Sequence, residues 1–158
     1  MKTPEELGIT EEEFKNLLIV KSLLDTEKLI YHNEETCSPF RFDMNTTSSG
    51  NEYECGSVAC IGGWVSFFMQ GNKFSKESIM KIDHVIADNY VNMDKSPPLE
   101  KLYFPELEDY DINDFYKAIT PVEASQAIQN FLETGNPKWD SVLDEETLEI
   151  RMMELENF

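Results

Sequence analysis

Residues 55–69 read CGSVACIGGWVSFFM and form the most apolar stretch of the chain. The stretch has the length of a buried helix of about 14 residues, and the Gly71-Asn72 pair that follows is a common helix stop. We expect Trp64 and the two phenylalanines after it to fill core volume. The segment therefore predicts a central buried helix around which the other elements pack.

The small residues of this stretch favour a packing role. Gly and Ala let another helix approach closely, and a free Cys often behaves as a small buried hydrophobe. On this interpretation Cys55 and Cys60 are both buried. The change Cys60→Ser is then expected to cost about 1–3 kcal/mol, because it buries an unsatisfied hydroxyl.

Two alternative interpretations centre on the same cysteines. A small cysteine-dependent hydrolase would use Cys55 as a thiolate at a helix N-terminus, with His32 or His84 as its base. A zinc protein would combine Cys55 and Cys60 with Cys37 and His32. Neither histidine sits in a recognisable local motif, and no CxxC or HxxxH pair supports zinc, so both alternatives rank below packing.

Capping signals place helices on both sides of the apolar segment. Thr10 and Glu13 form a capping box, and the apolar spacing after them predicts a helix that continues or restarts near Asp25 and ends around His32.

Toward the C-terminus, Thr120 caps a helix predicted over Pro121–Thr134, which Gly135 ends. Asp144 is expected to cap the last helix.

Residues 33–54 are rich in loop-forming residues, with Phe40 and Phe42 expected to point inward. The predicted fold is mainly α: a compact, single-domain helical fold over residues 1–158. A long loop, which can contain a short strand, precedes the central buried helix.

Charge excludes several classes of function. The 158 residues include 31 Asp and Glu against 13 Lys and Arg, a formal charge of −18. Direct binding to nucleic acid or to an anionic membrane is not expected, because phosphate contacts need Lys and Arg. The chain lacks the ~18–20-residue apolar stretch of a membrane span and a signal-peptide core, and its three cysteines fit a reducing compartment, so we expect a cytoplasmic protein. No motif predicts a cofactor or a metal site.

The carboxylates are concentrated in segments. Residues 100–114 hold six acids and one Lys, and residues 140–156 hold seven acids and one Arg. The simpler interpretation is a solvated surface that maintains solubility. The sharper one is a partner-binding surface, because aromatic residues beside the acids often dominate interface energy. The candidate partner-binding residues are Glu106, Glu108, Asp109, Tyr110, Asp111, Asp114, Asp144, Glu145, Glu146 and Glu149.

The segment CGSVACIGGW at residues 55–64 resembles the CGTxxCIAGW-like box of uncharacterised small bacterial and phage proteins. These proteins also tend to carry an aromatic-Asp-Met stretch, here residues 42–44, and an Ile-Thr-Pro-x-x-Ala helix, here residues 119–124. Ser57 and Gly62 stand where Thr and Ala are usual. The resemblance implies a shared fold and a phage or mobile-element context, and it implies no reaction.

Charge pattern and resemblance together predict a non-enzymatic interaction protein. Rows of carboxylates interleaved with aromatic side chains can occupy a protein groove that evolved for DNA phosphates. We therefore expect a DNA mimic that inhibits a basic, nucleic-acid-binding host defence protein, such as a CRISPR effector or a defence nuclease, as anti-CRISPR proteins do. The alternative from another class is the cysteine-dependent hydrolase or zinc protein centred on Cys55 and Cys60.

Overall fold

Helices dominate the part of the chain that the structure describes. A computed structural model of the protein describes residues 1–31, 40–46, 57–75 and 83–156. Its helices are α1 (Pro4–Leu7), α2 (Glu11–Asp25), α3 (Ile61–Met69), α4 (His84–Asn92), α5 (Pro97–Tyr103), α6 (Ile112–Phe115), α7 (Pro121–Thr134), α8 (Trp139–Val142) and α9 (Glu145–Glu156). A 3-10 turn, Tyr116–Ala118, follows α6. The predicted mainly α fold class is confirmed.

The predicted helix starts are confirmed at three places. Thr10 Oγ1 accepts a hydrogen bond from the backbone N–H of Glu13 at 3.0 Å, and the Glu13 carboxylate accepts one from Thr10 N–H at 3.0 Å. Thr120 and Glu123 form the same reciprocal pair before α7. Asp144 caps α9 by accepting a backbone N–H at 3.1 Å.

A small parallel sheet is the main addition to the predicted fold. Its strands are β1 (Ile30–Tyr31), β2 (Phe40–Phe42) and β3 (Ser57–Ala59), hydrogen-bonded in the order β1-β2-β3. Arg41 of β2 lies opposite both Ile30 and Val58. Phe42 is fully buried and Phe40 partly buried, as the inward placement of both side chains predicts.

The first long helix ends earlier than predicted. The α2 helix stops at Asp25, and Glu27 follows with a φ of 58°, in the left-handed region. A helix does not continue through that conformation, so the chain turns into β1 instead. The predicted end at His32 was wrong, and His32 itself lies outside the described residues.

The central buried helix begins later than predicted. Residues 57–59 pair with β2 and are therefore extended, and Cys60 is the N-cap of α3. An apolar run of this length is compatible with a buried strand as well as with a helix, which is why the sequence pattern misassigned its first part.

The α3 helix lies at the centre of the core. All its residues except the last are buried, and it packs against α2 and α4. The indole N–H of Trp64 donates to the Arg41 carbonyl at 3.0 Å and ties the helix to the sheet. A Cβ at Gly62 would lie 3.0 Å from Val91 Cγ2 and 3.2 Å from Tyr103 Cδ2, so these side chains pack closely against the helix at this glycine.

The α7 helix connects this core to the C-terminal part of the chain. Its buried face packs against α2 and α5. Glu123 near its start accepts hydrogen bonds from both terminal nitrogens of Arg151, at 2.6 and 3.0 Å, which fixes α9 against it. In the described ranges, no helix combines the length and apolar character of a membrane span.

Candidate partner-binding surface

The acids of residues 106–114 project from a segment that a few aromatic and aliphatic side chains hold against the core. Phe115 is buried, and Leu107 and Tyr110 are partly buried against the core. Tyr116 donates its hydroxyl to the Pro105 carbonyl at 2.8 Å, which fixes the start of the segment. The predicted acids here are all exposed: Glu106, Glu108, Asp109, Asp111 and Asp114.

A second group of acids lies at the start of α9. Asp144 accepts hydrogen bonds from the hydroxyl and the backbone N–H of Thr147, at 2.6 and 3.1 Å. These bonds hold the pKa of Asp144 below its ordinary value, so its carboxylate is ionised at neutral pH. Glu145, Glu146 and Glu149 are exposed on the same helix.

One hydrogen bond joins the two groups. Tyr110 Oη donates to Glu149 Oε1 at 2.9 Å, across 39 positions of sequence. The bond raises the pKa of Tyr110, so the phenol keeps its proton and remains the donor. The two acidic segments therefore lie side by side, an arrangement that residue spacing alone does not determine.

A groove of about 570 Å³ lies between the two segments, and we call it the acidic groove. Trp139 and Leu143, both buried, contribute apolar surface to its lining. The Trp139 indole N–H donates to the Lys101 carbonyl at 3.0 Å, which holds the ring in place. Among the described residues that line the groove, the one ammonium is that of Lys101, and the carboxylates are those of Glu106, Glu108, Asp109, Asp140 and Glu145.

The acidic groove includes four of the ten predicted residues: Glu106, Glu108, Asp109 and Glu145. Tyr110 and Glu149 adjoin it through their hydrogen bond. The other four are exposed but do not line it: Asp111, Asp114, Asp144 and Glu146. Trp139, Lys101 and Asp140 line the groove and were not predicted. A tryptophan between a Gly-Asn-Pro stop and an acidic run was the available signal for this site.

A buried polar network lies away from the groove, between α2, α4 and α5. Tyr90 Oη donates to Glu13 Oε2 at 2.6 Å and lies 2.7 Å from Tyr103 Oη. The Lys95 ammonium lies 4.3 Å from the Tyr90 ring centroid and donates to the Met93 carbonyl at 3.2 Å. Burial raises the pKa of both phenols, so they stay protonated. Glu13 is thus an internal hydrogen-bond acceptor and not part of an acidic surface.

Cys60 has the surroundings of a core residue. Its Sγ accepts the Gly63 backbone N–H at 3.4 Å, and burial raises the pKa of the thiol to about 11. A nucleophilic cysteine needs the opposite shift. Cys55, Cys37 and His32 lie outside the described residues. Within the described ranges, no group of three or more His, Cys, Asp or Glu side chains could hold a metal ion.

A scan against protein-family models and searches of curated proteins and of solved structures find no match to this chain.

Proposed function

We propose that this protein inhibits a basic, nucleic-acid-binding host defence protein, such as a CRISPR effector or a defence nuclease, by presenting carboxylates in place of DNA phosphates. The observation that supports the proposal is the acidic groove, where two described segments of the chain place five carboxylates beside the buried side chains of Trp139 and Leu143. The phage-type resemblance of residues 55–64 suggests the host-defence setting.

The electrostatics favour a basic partner. Duplex DNA carries about one negative charge per 1.7 Å of its axis, and proteins bind it with rows of Lys and Arg. This chain carries a formal charge of −18, and one lysine faces the five groove carboxylates. Long-range electrostatic attraction speeds the encounter of this protein with a cationic surface and makes the association sensitive to salt.

The floor of the groove gives its carboxylates a fixed base. Trp139 and Leu143 line the groove but are only 4% and 3% exposed, so they belong to the core. Charges held on a fixed base lose less entropy when they bind a complementary cationic surface. Of the two cysteines in the alternative, Cys60 has a buried thiol of raised pKa and belongs to the core, whereas Cys55, the nucleophile of the hydrolase alternative, lies outside the described residues.

The test begins with capture from host lysate on the immobilised protein, at low and at high salt, followed by mass spectrometry. Each captured nucleic-acid-binding protein is then purified and titrated with labelled duplex DNA and with this protein. We expect mutually exclusive binding, because both ligands occupy the same cationic surface.

A matched pair of triple variants then locates the surface. The groove-side variant is Glu108→Gln, Asp109→Asn and Asp111→Asn. The control variant removes the same charge at exposed positions outside the groove, with Glu12→Gln, Asp88→Asn and Asp94→Asn. We expect the groove-side variant alone to slow association markedly and to make its salt dependence shallower. Equal effects of the two variants, or a partner that still holds DNA in the complex, would contradict the proposal.

A further inference from the structure

Arg151 is the one cation among the seven acids of residues 140–156, and its charge is paired inside the fold. Its side chain is 16% exposed and donates through both terminal nitrogens to Glu123, whose side chain is 14% exposed. Successive helical residues are rotated by about 100°, so Arg151 lies about 200° around α9 from Glu149. The helix is therefore held on one side by Arg151 and carries Glu149 on the other.

The same guanidinium also contacts the segment on the other side of the acidic groove. Arg151 Nη1 donates to the Ala118 carbonyl, which belongs to the 3-10 turn. This turn follows the segment that carries the acids of residues 106–114, and Tyr116 Oη ties it to the Pro105 carbonyl at 2.8 Å. One side chain therefore joins α9 to the chain that forms the facing side of the groove.

The apolar contacts of α9 are few. Leu148 is its one buried residue, while Met152 and Leu155 are partly buried against the core. Apolar burial has no preferred direction, whereas two parallel hydrogen bonds between a guanidinium and a carboxylate have a fixed geometry. Arg151 thus supplies a shielded, directional contact that can set the orientation of α9.

We propose that Arg151 is a positioning residue of the acidic groove. It sets the orientation of α9, so that Glu145 and Glu149 lie beside the acids of the facing segment. The inference rests on the proposed function, because a cationic partner meets the carboxylates of both segments together only while α9 is held in this place. Carboxylates that are already in position lose less entropy on binding.

The phenol of Tyr110 reports whether α9 is in place. Its hydroxyl donates to Glu149, and the charge of Glu145 raises its pKa further. We expect Arg151→Gln to lower the measured pKa of Tyr110 at least as far as Glu149→Gln does, because either change removes the bond to the carboxylate. The titration is followed by NMR on ring-labelled tyrosine, with Tyr110→Phe to assign the signal.

Matched variants separate positioning from the loss of an ion pair. Lys21→Gln also removes one cation from an ion pair, at a side chain 20% exposed on α2 and outside the groove lining, so it should leave the Tyr110 pKa unchanged. Arg151→Lys keeps the charge but cannot bond bidentately, and we expect a smaller decrease in the same direction. Circular dichroism shows which variants are folded, and Arg151→Lys replaces Arg151→Gln in the comparison if the latter is not.

Binding of labelled hexa-arginine, measured by fluorescence anisotropy at low salt, tests the effect on the site. Loss of one cation strengthens the attraction of the protein to a cationic peptide, so Lys21→Gln should bind at least as tightly as wild type. Arg151→Gln has the same net charge as Lys21→Gln. We expect it to bind about threefold more weakly, because its acids no longer lie together.

The outcomes separate this inference from the proposed function. An unchanged Tyr110 pKa in folded Arg151→Gln, or equal shifts in Arg151→Gln and Lys21→Gln, would overturn the inference. Equal hexa-arginine affinities of these two variants would also overturn it, provided that the groove-side triple variant weakens binding. If wild type and the groove-side variant bind hexa-arginine equally, the proposed function fails, and the Tyr110 titration then decides whether Arg151 positions α9.

Discussion

Two tryptophans anchor two different regions of this molecule. Each indole N–H donates to a backbone carbonyl at 3.0 Å, Trp64 to Arg41 and Trp139 to Lys101. Trp64 lies in the centre of the core, with the ring of Phe67 at an edge-to-face distance of 5.3 Å. Trp139 is equally well held, but it lines a groove bordered by carboxylates.

The difference shows how one chain uses the same residue types in two ways. Around Trp64, small residues and aromatic rings exclude water and define the fold. Around Trp139, the same kind of anchor stabilises a segment whose outer side carries charge. Tyrosines and carboxylates repeat the contrast: Tyr90 and Glu13 bond inside the protein, whereas Tyr110 and Glu149 bond at the surface.

Replacing each tryptophan with Ala should give the largest difference in stability between the two regions. Trp64→Ala removes a fully buried ring from the core and should lower the free energy of unfolding by about 3–5 kcal/mol. Trp139→Ala should cost less, about 3 kcal/mol at the low end of the range for this substitution, because its site borders the groove and water can enter the space. Urea denaturation checks both values. If the two variants lose equal stability, or if Trp139→Ala loses more, Trp64 and Trp139 do not differ as core and surface anchors.

The next effect concerns the tyrosine hydroxyls. Tyr90→Phe removes the donor to the buried Glu13 carboxylate and the partner of Tyr103, so we expect a loss of about 1–3 kcal/mol. Tyr103→Phe should cost less, because Tyr90 keeps its bond to Glu13. Tyr110→Phe removes an exposed bond and should not change stability measurably. The three variants are compared by urea denaturation at neutral pH, and a costly Tyr110→Phe would show that the groove is part of the stable core.

Structural features that depend on residues close together in the chain were predicted correctly from the sequence. The capping boxes at Thr10 and Thr120 each involve two residues three positions apart, and neither needs tertiary contacts to form. The α7 bounds followed from Pro at its start and from Gly135, whose φ of 80° few other residues adopt.

Non-local features were missed for a physical reason. The sheet consists of strands of two or three residues, too short to show an alternating pattern, and strand pairing depends on distant segments. The network of Glu13, Tyr90 and Tyr103 draws one residue from each of three helices, so no window of sequence contains it. At the groove, composition indicated the acids, but the bond between Tyr110 and Glu149 required the fold.

A smaller effect is expected at Cys60. The sequence-based expectation of about 1–3 kcal/mol for Cys60→Ser assumed an unsatisfied hydroxyl. In the structure the residue is an N-cap, and a Ser hydroxyl there can accept the Gly63 N–H. Because Ser is a favoured cap and only a small apolar group is lost, we now expect a change within about 1 kcal/mol at neutral pH.

The stability of wild type and Cys60→Ser at alkaline pH tests whether the Cys60 thiol is buried. The folded state raises the pKa of this thiol to about 11, so the unfolded chain loses the proton first as pH rises. The contribution of the thiol to the free energy of unfolding therefore decreases as the pH rises from the ordinary cysteine pKa to about 11. Wild type should lose stability relative to Cys60→Ser over this window, measured by urea denaturation at several pH values. A constant difference between the two proteins would show that the thiol is not buried as described.

The smallest expected change in stability follows the removal of exposed carboxylates near the acidic groove. The variant Glu108→Gln, Asp109→Asn and Asp111→Asn removes three exposed charges while barely changing side-chain shape. Asp109 has a φ of 70°, a conformation that Asn also tolerates, so the backbone is not strained by the change. We expect the free energy of unfolding to stay within about 0.5 kcal/mol of wild type. Any difference should be a slight gain at low salt, because self-repulsion falls, and it should vanish at high salt as the charges are screened. Denaturation at two salt concentrations measures this directly. A clear loss of stability that persists at high salt would mean that these carboxylates hold the fold together, and the contrast between a structural core and a charged binding face would no longer stand.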